Sequence, residues 1–185
     1  MDKGYFMLRV TNINRATKNI VASASYRSDE ALYSERTDEK IKFRNHIVKP
    51  ESMILTPQHA PEWTKNRQRL WNEVDKVEKN NAKTKNPRLA KEVLLSLPND
   101  FDREVQTELT KDFIKSEFVD QGMVADISIH RDDMNNPHAH VLLTQRPFNS
   151  DGTWGKKTKT RTQYDENGHA ILNKNGNKVR KQERF

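Results

Sequence analysis

Residues 128–144 read SIHRDDMNNPHAHVLLT, and this stretch narrows the possible folds more than any other part of the chain. Just ahead of it, Met123, Ala125, Ile127 and Ile129 alternate with Val124, Asp126, Ser128 and then His130. That period of two belongs to a half-buried strand with His130 on its polar side. Asp132, Asp133, Asn135, Asn136 and Pro137 form a turn-rich link. A second strand is predicted from about His138 to Arg146, with Val141 and Leu143 on its apolar side and His138 and His140 on the other. Antiparallel pairing across so short a link sets the strands about 5 Å apart and brings His130 beside His138 and His140.

Three of the chain's six histidines thus fall within eleven residues. Metal ligation is one physical reason for such a cluster. Neutral imidazole is a common ligand for divalent ions, and three ligands leave coordination positions open for substrate and water. Surface or merely hydrogen-bonded histidines are the competing reading, which weakens when three share one face in register. A structural zinc site fits less well, because the chain has no cysteine and no clear fourth histidine nearby.

Periodicity elsewhere predicts a strand at Tyr5–Val10, a helix from Asn19 or Ile20 to Glu35, and a possible strand at Ser52–Thr56. A helix over about Glu62–Asn80 follows, with Trp63, Leu70, Trp71, Val74 and Val77 as its stripe, then a strand at Leu89–Leu97. Another helix over about Asp102–Asp120 points Val105, Leu109, Phe113, Ile114 and Phe118 inward, and Gly122 releases the chain into the histidine hairpin. This order predicts the α+β class: an antiparallel sheet of about five strands, helices packed on one face and the other face left for a ligand.

Parity adds two residues to the open face. In the Leu89–Leu97 strand, Leu89, Val93, Leu95 and Leu97 form the apolar side, so Glu92 points toward the histidines if the strand joins the sheet. A buried carboxylate needs a partner. A hydrogen bond to a metal-bound imidazole or direct ligation supplies one, and an edge-strand position in water is the plainer alternative. On the first helix Tyr26 and Tyr33 lie opposite the Ile20, Val21, Ala24 stripe, and the small-residue run VASASYRS permits close approach to a sheet or a nucleic-acid strand. From the helix alone Tyr26 is a nucleophile, a stacking platform or a surface residue.

Charge is unevenly placed. Residues 155–185 hold nine basic and three acidic residues, a net of +6, while the rest of the chain carries only +1. A basic end on a near-neutral body suits a polyanion, and a solvated tail is the alternative. Hydrophobic content of 33% is low for 185 residues and predicts a compact core with polar extensions. The Asn167–Gly168 and Asn175–Gly176 pairs predict two tight turns between short strands near Arg161–Tyr164, His169–Leu172 and Lys178–Arg180. Without cysteines, a leader-like apolar run or a membrane-length segment, the chain is expected to be soluble and cytoplasmic, with no membrane insertion.

An early tyrosine, an acid on a middle strand and a later His…HxH together resemble the histidine–hydrophobe–histidine (HUH) endonucleases. ASASYRSDEAL with NPHAHVLLTQR closely resembles the MobA/MobL plasmid relaxases, the MOBQ type, from Tyr5 to about Arg146. The resemblance implies Tyr26 as nucleophile, His130, His138 and His140 as metal ligands, and Glu92 as the acid near the metal. It implies site-specific nicking and rejoining at an origin of transfer with Mg²⁺ or Mn²⁺, acting on single-stranded and hairpin DNA alongside accessory relaxosome and type IV secretion coupling proteins. Arg9, Arg27, Lys156, Lys157, Lys159 and Arg161 are the candidate DNA contacts. Rolling-circle replication initiators usually carry the tyrosine after the histidine pair, whereas here it precedes it; a hydrolase using metal-bound water is the other alternative. The hydrophobe is Ala139, and Tyr33 is a second tyrosine where similar relaxases use one. The expected division is a catalytic domain over residues 1–150 and a basic β-hairpin extension over 151–185, within a protein whose relatives continue well beyond this point.

Overall fold

The computed structural model describes residues 7–43, 46–80 and 86–184; Tyr5, the predicted start of the first strand, lies outside them. In chain order come strand β1 (Leu8–Asn14), helix α1 (Ile20–Ser28), and strands β2 (Leu32–Ser34), β3 (Glu39–Ile41) and β4 (Glu51–Leu55). Helix α2 (Arg67–Asn80), strand β5 (Arg88–Ser96), helix α3 (Arg103–Ile114), β6 (Ala125–His130) and β7 (His138–Thr144) follow, then β8 (Thr158–Thr162) and β9 (Arg180–Arg184). Five strands form one antiparallel sheet in the order β1-β5-β7-β6-β4, as the α+β reading expects.

The β6–β7 hairpin sets the register of the centre. Its link is tightened by the Asp133 side chain, which accepts the Asn135 amide at 2.9 Å, and the strands pair His130 with His138 and Ser128 with His140. Cross-strand partners share a face. Rows therefore run Arg9, Leu94, His140, Ser128, Ser52 and, beside it, Thr11, Glu92, Leu142, Asp126, Ile54.

Helices cover both faces of the sheet rather than one. The side of Val93, Ile127, Ile129 and Val141 packs on Ile114 of α3 and on Val119. The histidine side also carries apolar residues, Ala90 and Leu142 among them, and these bury against Ile20, Val21 and Ala24 of α1 and Leu70, Trp71 and Val74 of α2. Covering them puts two helices on the histidine side.

Three predicted helices have different ends or faces. α1 starts as expected at Asn19, whose side chain accepts the Val21 amide at 3.0 Å, but stops at Asp29 in the left-handed region (φ 55°). The chain turns there because Leu32 is buried in a β2–β3 hairpin, opposite Ile41, so Tyr33 is not on the Tyr26 helix at all. The segment predicted as one helix over Glu62–Asn80 is a 3₁₀ turn (Glu62–Lys65) and then α2, restarted by Asn66, whose side chain caps the Arg69 amide at 2.9 Å. In α3, Val105 and Leu109 are 41% and 46% exposed, and Gln106, Thr107 and Thr110 are buried with Ile114. The polar side faces inward because it has partners there: Gln106 donates to the Pro98 carbonyl at 2.8 Å and Arg131 donates to Gln106 at 2.9 Å and Thr107 at 3.0 Å. A π-helical turn over Lys115–Val119 completes this segment.

Gly122 enters β6 at φ 98°, where an added Cβ would lie 2.8 Å from the Pro147 side chain. Gly122→Ala is expected to destabilise the fold by more than about 1 kcal/mol, since both the backbone region and the contact oppose a side chain; a urea midpoint equal to wild type would contradict this.

Beyond Thr144, Trp154 stacks on Phe148 with centroids 4.2 Å apart, and β8 and β9 pair into a basic arm. Both Asn-Gly turns form, with Gly168 and Gly176 at φ 79° and 74°. Of the three short strands predicted around them, the outer two overlap β8 and β9, while His169–Leu172 makes only single bridges, Ala170 with Tyr164 and Leu172 with Lys178.

Candidate metal centre

His130 ends β6, and His138 and His140 open β7, so the hairpin alone assembles the cluster. Ring centroids are 5.3 Å apart for His130–His138, 4.9 Å for His130–His140 and 5.2 Å for His138–His140. One ring nitrogen from each lies within 4.8 Å of the others, a group able to hold a metal ion.

Each ring also has one nitrogen against an oxygen acceptor. His130 Nε2 is 2.8 Å from the Arg27 carbonyl, His138 Nδ1 is 2.8 Å from the Asn136 carbonyl, and His140 Nδ1 is 3.0 Å from Glu92 Oε1. A neutral ring that donates there keeps its lone pair on the other nitrogen, as a metal ligand requires. Burial pushes His130 down to about 4, against the pull of the Arg27 carbonyl, and burial likewise lowers His140 although Glu92 opposes it. Both rings are therefore neutral at physiological pH, and the donor set fits a divalent ion.

Glu92 lies on this face, as parity predicts. Its Oε1 accepts from His140 and from Arg27 Nε at 2.8 Å, and Arg27 Nη2 makes a further close contact with it. Burial alone would raise the carboxyl, but the His140 hydrogen bond and the Arg27 charge outweigh it and hold it at about 2.

Arg27 corrects an expectation. Instead of facing solvent as a DNA contact, its guanidinium is buried and bound to Glu92 and, at 2.6 Å, to the Ser23 carbonyl. The carboxylate on β5 draws it inward.

Tyr26, 43% exposed, stands on the histidine side of the sheet. Its ring meets Phe43 at 5.5 Å and His46 at 5.8 Å, and His46 in turn meets His130 at 4.2 Å. His46 Nδ1 is 2.8 Å from Asp29, the residue that ends α1. Sequence reasoning missed His46. It sits in an irregular charged link with no periodic pattern, and only the fold brings it between Tyr26 and the cluster. Tyr33 is elsewhere, on β2, with its hydroxyl on Asp38.

The basic candidates divide. Arg9 is exposed on the histidine face, in the row of Leu94 and His140. Lys156, Lys157, Lys159 and Arg161 belong to the arm, which leaves from the opposite end of the hairpin: Gly155 bonds Pro147 at 2.7 Å, and Lys159 reaches Gln121 at 3.4 Å. At about 3.3 Å per strand residue, this end lies roughly 20 Å from the histidines. Lys157 is anchored there, paired with buried Glu78 and 3.1 Å from the Arg88 carbonyl, while Arg161 pairs with Glu183 at 3.3 Å.

No helix among the described residues is long and apolar enough to cross a membrane. Conjugal transfer protein TraA of Agrobacterium fabrum is 27% identical over 169 residues, covering 86% of this chain and 15% of that protein. Probable conjugal transfer protein TraA of Sinorhizobium fredii is 31% identical over 150 residues, covering 76% and 13%. Probable mobilization protein MobA of Bifidobacterium longum is 29% identical over 171 residues, covering 90% and 29%. The chain thus spans less than a third of each of these relatives. A solved structure titled "Molecular Basis of Vancomycin Resistance Transfer in Staphylococcus aureus" matches with a TM-score of 0.74 at 29% identity, covering 84% of this chain and 78% of that one. The family model described as MobA/MobL family matches residues 18–184, most of the chain including Tyr26, Glu92 and all three clustered histidines. The chain belongs to the MobA/MobL family of plasmid relaxases.

Proposed function

We propose that this chain nicks and rejoins one DNA strand at a plasmid origin of transfer through a 5′-phosphotyrosine formed on Tyr26. The observation that carries the reading is the exposed Tyr26 phenol standing on the histidine side of the sheet, one ring removed from His130 through His46. Single-stranded DNA would cross this face near Arg9.

His130, His138 and His140 would hold a divalent ion, Mg²⁺ or Mn²⁺, and the chemistry it would supply there is electrophilic stabilisation of charge on the scissile phosphate. Tyr26 gives up its proton and its oxygen attacks phosphorus. The bond from phosphorus to the 3′-oxygen breaks, and that oxygen takes a proton to leave as a free 3′-OH. The 5′ end stays joined to the tyrosine, so a 3′-OH can attack in reverse and reseal the strand. Glu92 orients His140 through their hydrogen bond.

Residues 1–150 carry the chemistry in this reading, and the arm over 151–185 grips phosphates of a hairpin in the origin with Lys156, Lys159 and Arg161. In this reading accessory relaxosome proteins and a type IV secretion coupling protein would be its partners.

The test mixes the protein with labelled single-stranded origin oligonucleotides and Mn²⁺ and runs the products on a denaturing gel. A slow species that protease removes and detergent does not is the expected result; cleavage without such a species would point to a hydrolase. Chelation with EDTA is expected to abolish the linked species while oligonucleotide binding survives, and added Mn²⁺ should restore it. Undiminished linkage in EDTA would rule out the metal role.

A further inference from the structure

Arg27 follows Tyr26 on the last turn of α1, yet its contacts run to the histidines. Its Nε donates to Glu92 Oε1 at 2.8 Å with Nη2 beside it, and the same oxygen accepts His140 Nδ1 at 3.0 Å. Its main-chain carbonyl meets His130 Nε2 at 2.8 Å. Its Nη1 donates to the Ser23 carbonyl at 2.6 Å, one turn back, which clamps the guanidinium to its own helix. One residue therefore reaches two of the three rings by separate routes.

We propose that Arg27 is a positioning residue that ties the Tyr26 helix to the metal-ligating histidines, through Glu92 to His140 by its side chain and directly to His130 by its carbonyl. A guanidinium is a rigid planar fork, so two N–H groups on one carboxylate oxygen fix where that oxygen can lie. The oxygen in turn fixes the rotation of the His140 ring, because partners behind a ligand orient it. The carbonyl contact does not depend on side-chain identity, so substitution isolates the Glu92 route. A lysine keeps the charge but loses the fork.

The inference rests on the histidines as metal ligands and not on the nicking reaction. Its test is calorimetric titration of Mn²⁺ into the whole chain, with the melting temperature of the metal-free protein and binding of a single-stranded oligonucleotide measured alongside. Arg27→Gln is expected to weaken Mn²⁺ binding about 10-fold or more, the range seen for residues behind metal ligands. Glu92→Gln should match it, the double variant should be no weaker than the poorer single one, and Arg27→Lys should fall between Arg27→Gln and wild type. Wild-type Mn²⁺ affinity with weakened oligonucleotide binding would make Arg27 a DNA contact and overturn the proposal. So would losses that add in the double variant. If Arg27→Gln does not fold, wild-type Mn²⁺ affinity in Arg27→Lys overturns it alone, and absence of Mn²⁺ binding by the wild-type chain overturns it together with the ligand assignment.

Discussion

Tyr26→Phe is expected to eliminate the protein-linked DNA product and to cut strand cleavage on the order of 10⁴-fold or more, as loss of a nucleophile does elsewhere. Only an oxygen is removed. The ring keeps its edge contacts with Phe43 and His46, and at 43% exposure the hydroxyl is not part of the core. Stability should stay within about 0.5 kcal/mol and oligonucleotide binding should persist. Tyr33 offers no substitute: it stands on a different element, and its hydroxyl, hydrogen-bonded to Asp38, is raised above the usual phenol value and is harder to ionise. Tyr33→Phe should therefore retain the linked product. A linked species in Tyr26→Phe that vanishes in Tyr33→Phe would exchange the two roles.

Arg67→Met is expected to cost about 3–5 kcal/mol, the largest stability loss of any single replacement proposed for this chain. Asp126, on β6 and only 3% exposed, accepts Arg67 Nε at 3.0 Å on both oxygens, Arg67 Nη2 at 2.8 Å, and Trp71 Nε1 at 2.8 Å. Removing the guanidinium strands a carboxylate under α2 with one neutral donor. The pair itself is not the source of net stability, because burying both charges costs nearly what their attraction returns. Arg67→Met with Asp126→Leu should therefore recover part of the loss, the shortfall being the cost of the buried Trp71 N–H left without its acceptor. Urea melts of the two variants check this, and a double variant as unstable as the single one would show that the pair contributes in its own right.

Strand parity made the centre of this site legible. A period of two and a short link put His130, His138 and His140 together, and the same alternation turned Glu92 toward them. Local rules of that kind need no knowledge of the rest of the chain. The failures came where distant partners decide. Nothing local says that α1 ends at Asp29; the burial of Leu32 does. Val105 and Leu109 lost the inward side of α3 to threonines and a glutamine whose partners, Arg131 and the Pro98 carbonyl, come from other elements. Arg27 reads as a surface cation until a carboxylate 65 residues away claims it. His46 is invisible for the same reason.

The separation between the basic arm and the histidines has a mechanical consequence on the proposed reading. Grip and scissors sit at opposite ends of one stiff plank, so the position of the cut is measured by a fixed span rather than chosen by the chemistry. Lengthening the tether at Gly155 would then shift the nick along the strand and leave the bond-breaking step unchanged.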